Sequence, residues 1–367
     1  MKKKTKRQTR LNRKDQDNKK GRIIKLGIDA HEKFHVVSMQ IDGSTPKPPK
    51  KLTGDQLLAM CQEMVQQGDE VWSVYEACGL GFVLHRKLEA AGVHSLVITP
   101  IKLSENGKLR KNDKNDSRHL VLRLDRYVVG NKNALPIIRV PSPREEQYRS
   151  LGRRRGGMIR IRTNMEAQGR GFLVNQGFQQ LATGWWRVNK WQVLESRVPG
   201  WIFEHLEAIR GIILQVEQKI GELTKRLEAT VELKKVPYGV GALSQALLDG
   251  EVCDWKRFKN RRQISSYTGL CPGEYSSGES VCQGKIDRHG NRRIRVILIE
   301  MAWRMVRYQP DYYLIKKNYE ILRPKAKVGR SQRKKTIVKV ARCMSVDLWR
   351  LATEQTTPEN LGLVMAA

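Results

Sequence analysis

Alternating apolar and polar positions dominate the chain from Ile23 to Pro100. The segment IIKLGIDAHEKFHVVSMQIDG alternates on both sides of a short Asp-Ala-His connection, which predicts two paired strands. Two further β-rich runs, VWSVYEACG and VHSLVITP, each follow a stretch with helical periodicity, LTGDQLLAMCQEMVQQ and GFVLHRKLEAAG respectively. Strands that alternate with helices over residues 22–140 predict an α/β sheet domain.

From residue 142 to about residue 235 the pattern becomes long, charged and heptad-like. Its second half places apolar residues three and four positions apart, which is typical of an amphipathic helix: Ile209, Ile212, Ile213, Val216, Ile220, Leu223 and Leu227. A helical hairpin within the chain and a coiled coil between chains both fit this pattern. Glycines disfavour the helix interior, so we expect a break at Gly152, Gly156 and Gly157.

A third region, mainly helical, begins at VPYGVGALSQALLDGE. Gly239 and Gly241 predict a tight turn that resembles the hairpin of helix-hairpin-helix modules, where backbone N–H groups can meet a phosphate. A helix, a Gly/Ser-rich loop, a basic turn, a long helix and the final helix KKTIVKVARCMSVDLWRLA follow. The predicted organisation is a basic arm (1–21), an α/β domain (22–140), a helical region (141–235), a mainly α domain (236–355) and a tail (356–367).

The charge balance points to a polyanionic partner. The chain has 69 Lys+Arg against 37 Asp+Glu, a formal net charge of +32 over 367 residues, and nucleic acid is the natural ligand of such a field. No apolar run reaches the roughly 20 residues of a membrane span, and the N-terminus lacks the apolar core of a signal peptide. The six scattered cysteines form no CxxC pair, so we expect reduced thiols in the cytoplasm.

Four carboxylates stand at informative positions. Asp29 and Glu76 end predicted strands, and Asp113 and Asp116 in KNDKND share one turn of a predicted helix. Converging acids repel one another unless a cation neutralises them, and Mg²⁺ prefers such oxygen ligands. The alternative is that these are ordinary solvated acids. A transition metal on His31 and His35 is disfavoured, because neither a cysteine nor a third histidine stands at ligand spacing.

A serine-rich loop precedes the basic turn. It contains Ser276, Ser277, Gly278 and Ser280, and a serine hydroxyl there would face a positive field that suits attack on a phosphodiester. The alternative is an ordinary Ser/Gly turn above a nucleic-acid-binding surface. The basic residues that would make that surface are Lys285, Arg288, Arg292, Arg293 and Arg295.

The order of these motifs resembles one known family. LGIDAH, YEACG, KNDKND, a helical linker, VPYGVG, YTGLCPGEYSSGE and GKIDRHGNRRIR follow one another over residues 22–355, as in the DEDD transposases of the insertion-sequence 110 family. The resemblance implies an α/β RuvC-like (RNase H-like) N-terminal domain, a helical coiled-coil linker and a mainly α C-terminal serine transposase domain. Two features depart from the family: KNDKNDS replaces a KTDRRDA-like string, and the basic arm is longer.

The resemblance also implies site residues and partners. The four acids Asp29, Glu76, Asp113 and Asp116 match the Mg²⁺-binding set, and Ser277 matches the nucleophile that forms a phosphoserine intermediate, with Ser276 beside it as the other candidate. The implied partners are donor and target DNA, a guide (bridge) non-coding RNA and further copies of the chain, from dimer to tetramer. A RuvC-like junction nuclease that uses no serine and a non-catalytic nucleic-acid-binding protein are the competing functions.

Overall fold

The computed structural model describes residues 21–100, 113–274, 282–324 and 326–366, without the side chains of Asp113, Lys114 and Gln283. Residues 1–20 of the basic arm and the segment that carries Ser276, Ser277, Gly278 and Ser280 therefore lie outside the described residues. The chain divides into two compact units, Met1–Val140 and Pro141–Ala367. Each unit is described by itself below.

Unit 1 is built on a mixed five-stranded sheet. The strands follow the order β3-β2-β1-β4-β5, in which β3, β2 and β1 are antiparallel and β1, β4 and β5 are parallel. Their bounds are β1 Ile23–Ala30, β2 His35–Ile41, β3 Lys50–Leu52, β4 Glu70–Glu76 and β5 His94–Ile98. The predicted α/β sheet and its strands β1, β2, β4 and β5 are confirmed.

Three helices cover the two faces of this sheet: α1 Gly54–Gln66, α2 Val83–Ala90 and α3 Asp113–Val128. A Thr53/Gln56 capping box fixes the start of α1, so that Thr rather than Asp is the start signal in LTGDQLLAMCQEMVQQ. Leu57 of α1 and Leu88 of α2 pack on Leu26 and its neighbours in β1, whereas α3 packs on Val74 from the other side. Because side chains alternate along β1 and β4, these strands contribute apolar side chains to both faces of the sheet, and each face packs against different helices.

Unit 2 begins with a helical hairpin formed by α4 Pro143–Asn175 and α6 Gly200–Glu228, with the short α5 Val188–Glu195 between them. Within the chain, Ile213, Ile220, Leu223 and Leu227 of the apolar stripe of α6 are buried, as the hairpin alternative expects, whereas Ile212 is 46% exposed. The expected break at the glycines was wrong, since α4 runs unbroken through Gly152. A Ser142/Glu145 capping box and the packing on α6 stabilise α4 enough to outweigh the glycine propensity.

The rest of unit 2 is mainly helical, as predicted, with one two-stranded hairpin. Its bounds are α7 Ala242–Val252, α8 Arg261–Thr268, β6 Pro272–Glu274, β7 Gln283–Ile286, α9 Arg292–Tyr308, α10 Tyr313–Lys317, α11 Tyr319–Leu322, α12 Arg330–Ala352 and α13 Pro358–Leu361. The tight turn at Gly239 and Gly241 is confirmed, with φ of +88° and +78°. A Cβ on Gly239 would lie 2.6 Å from Cβ of Tyr308, so α9 packs directly on this turn.

The core of unit 2 is centred on α9 and α12, where Leu298, Met301, Val340 and Met344 are buried together. Across the described ranges, none of the helices is both long and apolar enough to span a bilayer.

Candidate functional site

Asp29 and Glu76 lie side by side at one edge of the unit 1 sheet. Strands β1 and β4 are parallel, and their last paired residues are Ile28 and Tyr75. Asp29 and Glu76 are the next residue of each strand, so both stand where the carboxyl ends of adjacent parallel strands meet. Both side chains are half-buried. The strand-end placement inferred from the sequence is therefore what the sheet register produces.

Both acids project from the face that α3 covers. Side chains alternate along a strand, so Asp29 shares a face with Gly27 and Glu76 shares a face with Val74. Val74 is buried against Leu120 of α3, and Gly27 lies directly beneath the same helix. A carboxylate from β1 and one from β4 are thus directed to the same side of the sheet.

The contact between α3 and β1 is so close that it requires glycine. A Cβ on Gly27 would lie 2.2 Å from the carbonyl oxygen of Ser117 and 2.5 Å from the backbone nitrogen of Val121. A buried hydrogen bond of 3.0 Å also joins the hydroxyl groups of Ser117 and Ser38 on β2. Residue 117 of the helix is therefore locked over the sheet.

The direction of α3 brings its first turn to the acidic edge. Ser117 lies over Gly27, whereas Asp125 pairs with Lys25, nearer the amino end of β1, with Nζ and Oδ1 2.5 Å apart. The helix therefore runs antiparallel to β1, and its amino-terminal turn, which contains the half-buried Asp116 and begins at Asp113, approaches the carboxyl end of that strand. We name this region the acidic edge, defined by Asp29, Glu76 and Asp116.

A histidine contacts this edge. Nε2 of His31 lies 3.1 Å from Oδ2 of Asp29, and His35 pairs with Ala30 across β1 and β2. Burial lowers the pKa of His35, and the nearby imidazole of His31 lowers it further. Within the described side chains, no three His, Cys, Asp or Glu residues are grouped so as to hold a metal ion, and this includes Asp29, Glu76 and Asp116. Asp113 is not among those side chains.

The chemistry of the acidic edge suits a hard divalent cation. Its donors are carboxylate oxygens on two strands and one helix, and each described member is only partly buried. Mg²⁺ takes one or two carboxylates and fills the remaining positions with water and phosphate oxygens. The residues present therefore fit Mg²⁺ in donor type.

In unit 2, the β6–β7 hairpin supports the loop with the predicted nucleophile. Its base is closed by the Pro272–Ile286 pair and by a 2.9 Å hydrogen bond from the backbone N–H of Asp287 to the carbonyl of Cys271. Residues 275–281, including Ser277, lie outside the described residues. The structure thus gives the two strands from which this loop extends.

The predicted basic residues divide into two groups. Lys285 in β7 and Arg288, Arg292 and Arg293 after the hairpin are exposed, and Arg288 has a positive φ of 62°. Arg295 is half-buried, and its guanidinium donates a 3.2 Å hydrogen bond to the carbonyl of Thr268 at the end of α8. Arg295 therefore helps to hold α9 on α8, whereas the other four face solvent.

A buried carboxylate that the sequence did not reveal connects these elements. Glu251 of α7 accepts two 3.0 Å hydrogen bonds from the guanidinium of Arg153 on α4 and one of 2.9 Å from Nδ2 of Asn291. Burial raises the pKa of Glu251, but the bonds from Arg153 and Asn291 outweigh it, so the pKa lies below its ordinary value. Because Oδ1 of Asn291 caps α9, Glu251 fixes the start of that helix.

Comparisons with a protein family and with individual proteins all match transposases. The pattern of the transposase IS116/IS110/IS902 family matches residues 232–319, which include the β6–β7 hairpin. A putative transposase, y4rJ, of Sinorhizobium fredii is 31% identical over 305 residues, covering 76% of this chain and 76% of its own. The transposase for insertion sequence element IS1111A of Coxiella burnetii is 24% identical over 296 residues, covering 77% and 78%. The transposase for IS1328 of Yersinia enterocolitica is 23% identical over 295 residues, covering 76% and 83%.

Proposed function

Because this chain belongs to the IS116/IS110/IS902 family of insertion-sequence transposases, we propose that it cleaves and rejoins DNA with a serine nucleophile and Mg²⁺. Unit 1 would act as the RuvC-like nuclease domain, and the β6–β7 hairpin would carry the nucleophile Ser277. Donor and target DNA are the substrates.

The observation that carries the proposal is the acidic edge. Asp29 and Glu76 occupy matching positions of adjacent parallel strands, and the close contact at Gly27 brings the first turn of α3 to the same end of the sheet. Together with Asp113, these residues would hold Mg²⁺. When bound, the ion would polarise the scissile phosphate and stabilise the charge that develops on its oxygens.

The remaining groups account for the transfer itself. Oγ of Ser277 loses its proton and forms a bond to phosphorus, the bond from phosphorus to the leaving deoxyribose oxygen breaks, and that oxygen takes up one proton, so that no net proton is gained or lost. Attack by another strand's hydroxyl on the phosphoserine then releases the serine and joins the strands. Exposed Lys285, Arg288 and Arg292 would bind the flanking phosphates.

Substitution of Ser277 tests the nucleophile. Ser277→Ala should bind labelled DNA as the wild-type protein does, but form neither cut strands nor a protein–DNA adduct stable in detergent. Ser276→Ala is the matched control and should retain both products. Cleavage by Ser277→Ala without an adduct would instead identify a junction nuclease that uses no serine.

Substitution at the acidic edge tests the metal role. Glu76→Gln should bind DNA normally and lose Mg²⁺-dependent cleavage, whereas Glu70→Gln, at the opposite end of β4, should remain active. Binding without cleavage by the wild-type protein at any Mg²⁺ concentration would favour a non-catalytic nucleic-acid-binding protein.

We also propose that a structured non-coding RNA guides the enzyme, a polyanion that suits the net charge of +32, and that the chain acts as a dimer to tetramer. RNA transcribed from the DNA that flanks the gene should bind the purified protein and direct cleavage to complementary sites. An unrelated RNA of equal length is the control. Equal cleavage with both RNAs would exclude guidance, and light scattering of the loaded protein would give the number of subunits.

A further inference from the structure

A cleft in unit 2 lies beside the start of α9 and includes neither the acidic edge nor the predicted nucleophile. Of the three residues assigned above to phosphate binding, Arg292 lines it. It has a volume of about 560 Å³ and is lined by α4, α7, α9 and Leu227 of α6. This is the size range of sites that enclose a small ligand or part of a larger one.

The cleft combines an apolar floor with a positive rim. Leu247 and Ile297 contribute to the floor, and Val296 beside them is 55% exposed although it is apolar. Five arginines surround them: Arg149, Arg155, Arg160, Arg292 and Arg293. An uncovered apolar surface within a ring of arginines favours a ligand that is flat and apolar in one part and anionic in another.

The five guanidinium groups differ in whether other side chains of the protein already bind them. Nε of Arg155 donates a hydrogen bond to Thr224, and Arg293 lies 3.8 Å from Glu251. No described residue forms a hydrogen bond or ion pair with the guanidinium groups of Arg149, Arg160 or Arg292. Those three groups are available to an anion.

The carboxylate that borders the cleft does not cancel this charge. Both oxygens of Glu251 accept hydrogen bonds, from Arg153 and from Asn291. Since Arg153 neutralises Glu251, the five lining arginines remain in excess. The Glu251–Asn291 bond also fixes the first turn of α9, from which Arg292 and Arg293 reach the rim.

We propose that this cleft binds an unpaired nucleotide of single-stranded nucleic acid, with the base on the apolar floor and its phosphates on the arginine rim. A base freed from a duplex offers an aromatic face to apolar groups and guanidinium planes, and its backbone offers phosphates to arginine. A duplex backbone offers phosphates without a bare base, so it would leave the floor uncovered.

Two adjacent glycines in α4 give a matched test. A Cβ at Gly156 or at Gly157 would meet no atom within 4 Å, but only Gly156 lines the cleft. Gly156→Leu should therefore place its side chain into the cleft, whereas Gly157→Leu makes the same change beside it. Replacing a helical glycine removes a helix-disfavouring residue, so both variants should fold.

The ligand is a single strand of about 12 nucleotides with one 2-aminopurine, within the span that single-strand sites cover. Binding is measured by anisotropy in EDTA, with a duplex of the same length as the comparison. Gly156→Leu should weaken single-strand binding about tenfold, because one base loses its contact with the apolar floor, and abolish the change in 2-aminopurine fluorescence. Duplex binding should change less than about twofold, and Gly157→Leu should match wild type in both assays.

Arg149→Ala/Arg160→Ala gives a second route to the same result. Removal of two phosphate contacts should weaken single-strand binding. The slope of log K against log salt concentration should fall by the amount expected for about two phosphate contacts. DNA and RNA strands are measured in parallel: a loss for RNA alone would identify the guide as the source of the nucleotide, and a loss for DNA alone would identify a displaced strand.

This inference rests on the proposed function only for the class of ligand, nucleic acid. A failure of the cleft assignment can be distinguished from a failure of the proposed function. If wild type binds the single strand and Gly156→Leu binds it equally well, the cleft assignment is wrong and the serine and metal roles are untouched. Equal losses of affinity for the duplex and for the single strand in Gly156→Leu would also overturn the cleft assignment. If wild type binds no nucleic acid, the proposed function fails as well.

Discussion

The two units use carboxylates in opposite ways. At the acidic edge of unit 1, Asp29 and Glu76 are half-buried at the open ends of strands. In unit 2, Glu251 and Asp347 are almost fully buried, 5% and 2% exposed, and their oxygens accept hydrogen bonds from neighbouring side chains. An acid that can bind an external cation must keep an open direction, whereas an enclosed acid acts on the fold. The comparison therefore separates the acids that we propose for the reaction from buried acids that act on stability.

The largest effect should come from removing one charge at the acidic edge. We expect Asp29→Asn to lower DNA cleavage by more than about a thousandfold, because a bound cation contributes several kcal/mol to transition-state stabilisation. The amide keeps the size of the side chain, so the thermal unfolding midpoint should hardly change. Single-turnover cleavage and calorimetry measure the two quantities.

Asp55→Asn is the matched control, since Asp55 is an exposed acid in the first turn of α1. It should retain full activity. If Asp29→Asn were unstable but active per folded molecule, Asp29 would belong with the buried acids of unit 2 and the comparison would fail.

The next effect concerns the contact that aligns the acidic edge. Gly27→Ala should lower the free energy of unfolding of unit 1 by about 3 kcal/mol, because its Cβ would overlap the backbone of α3. Cleavage should fall with it, since α3 carries Asp116. Gly43→Ala, where a Cβ meets nothing within 4 Å, should alter neither. Hydrogen exchange of β1 and α3 measures the local loss, and unchanged protection would contradict the close contact.

The sequence predicted unit 1 better than unit 2. Alternation of side chains placed Asp29 and Glu76 at strand ends, because a two-residue period is a local property and the parallel pairing then aligned them. Glu251 gave no such signal: its partners Arg153 and Asn291 are 98 and 40 residues away. Pairing over such distances is decided by packing, which local patterns do not encode.

Two other features of unit 2 were also not predictable from local sequence patterns. The expected break in α4 was wrong because contacts with α6 outweigh the cost of its glycines. The segment around Pro272 was interpreted as a loop, yet short strands β6 and β7 pair there, and β6 has only three residues. Strands this short have too few alternating positions to be recognised.

A smaller effect should follow when the buried acid of unit 2 is changed. Glu251→Gln should lower the free energy of unfolding of unit 2 by about 2 kcal/mol at pH 7, since charged hydrogen bonds to Arg153 and Asn291 are weakened. The half-exposed Arg153 can turn to water, which limits the loss. Urea unfolding followed by tryptophan fluorescence measures it, because seven of the eight tryptophans lie after residue 140.

The pH dependence of unfolding shows whether the charged form of Glu251 produces this stabilisation. The folded pKa of Glu251 lies below its ordinary value of 4.5, so its stabilisation is present above that value and is lost as pH falls through the folded pKa. The difference between wild type and Glu251→Gln should therefore shrink on acidification. The exposed Glu222, paired with Lys219 on α6, supplies the control Glu222→Gln, which should unfold as wild type does. A constant difference at every pH would show that charge is not the cause.

The smallest effect should come from Asp347, and its sign should be reversed. Burial raises the pKa of this carboxyl above its ordinary value of 3.8, although hydrogen bonds from the hydroxyls of Tyr312 and Tyr313 oppose the rise. Stability linked to its protonated form is present below 3.8 and is lost as pH rises through the folded pKa. Asp347→Asn can still accept the tyrosine hydrogen bonds and avoids the buried charge. We expect it to equal wild type in acid and to be more stable at pH 7 by up to about 1 kcal/mol, measured by urea unfolding. A loss of stability at pH 7 would show that Asp347, like Glu251, is stabilised by its charge, and the two buried acids of unit 2 would then act alike.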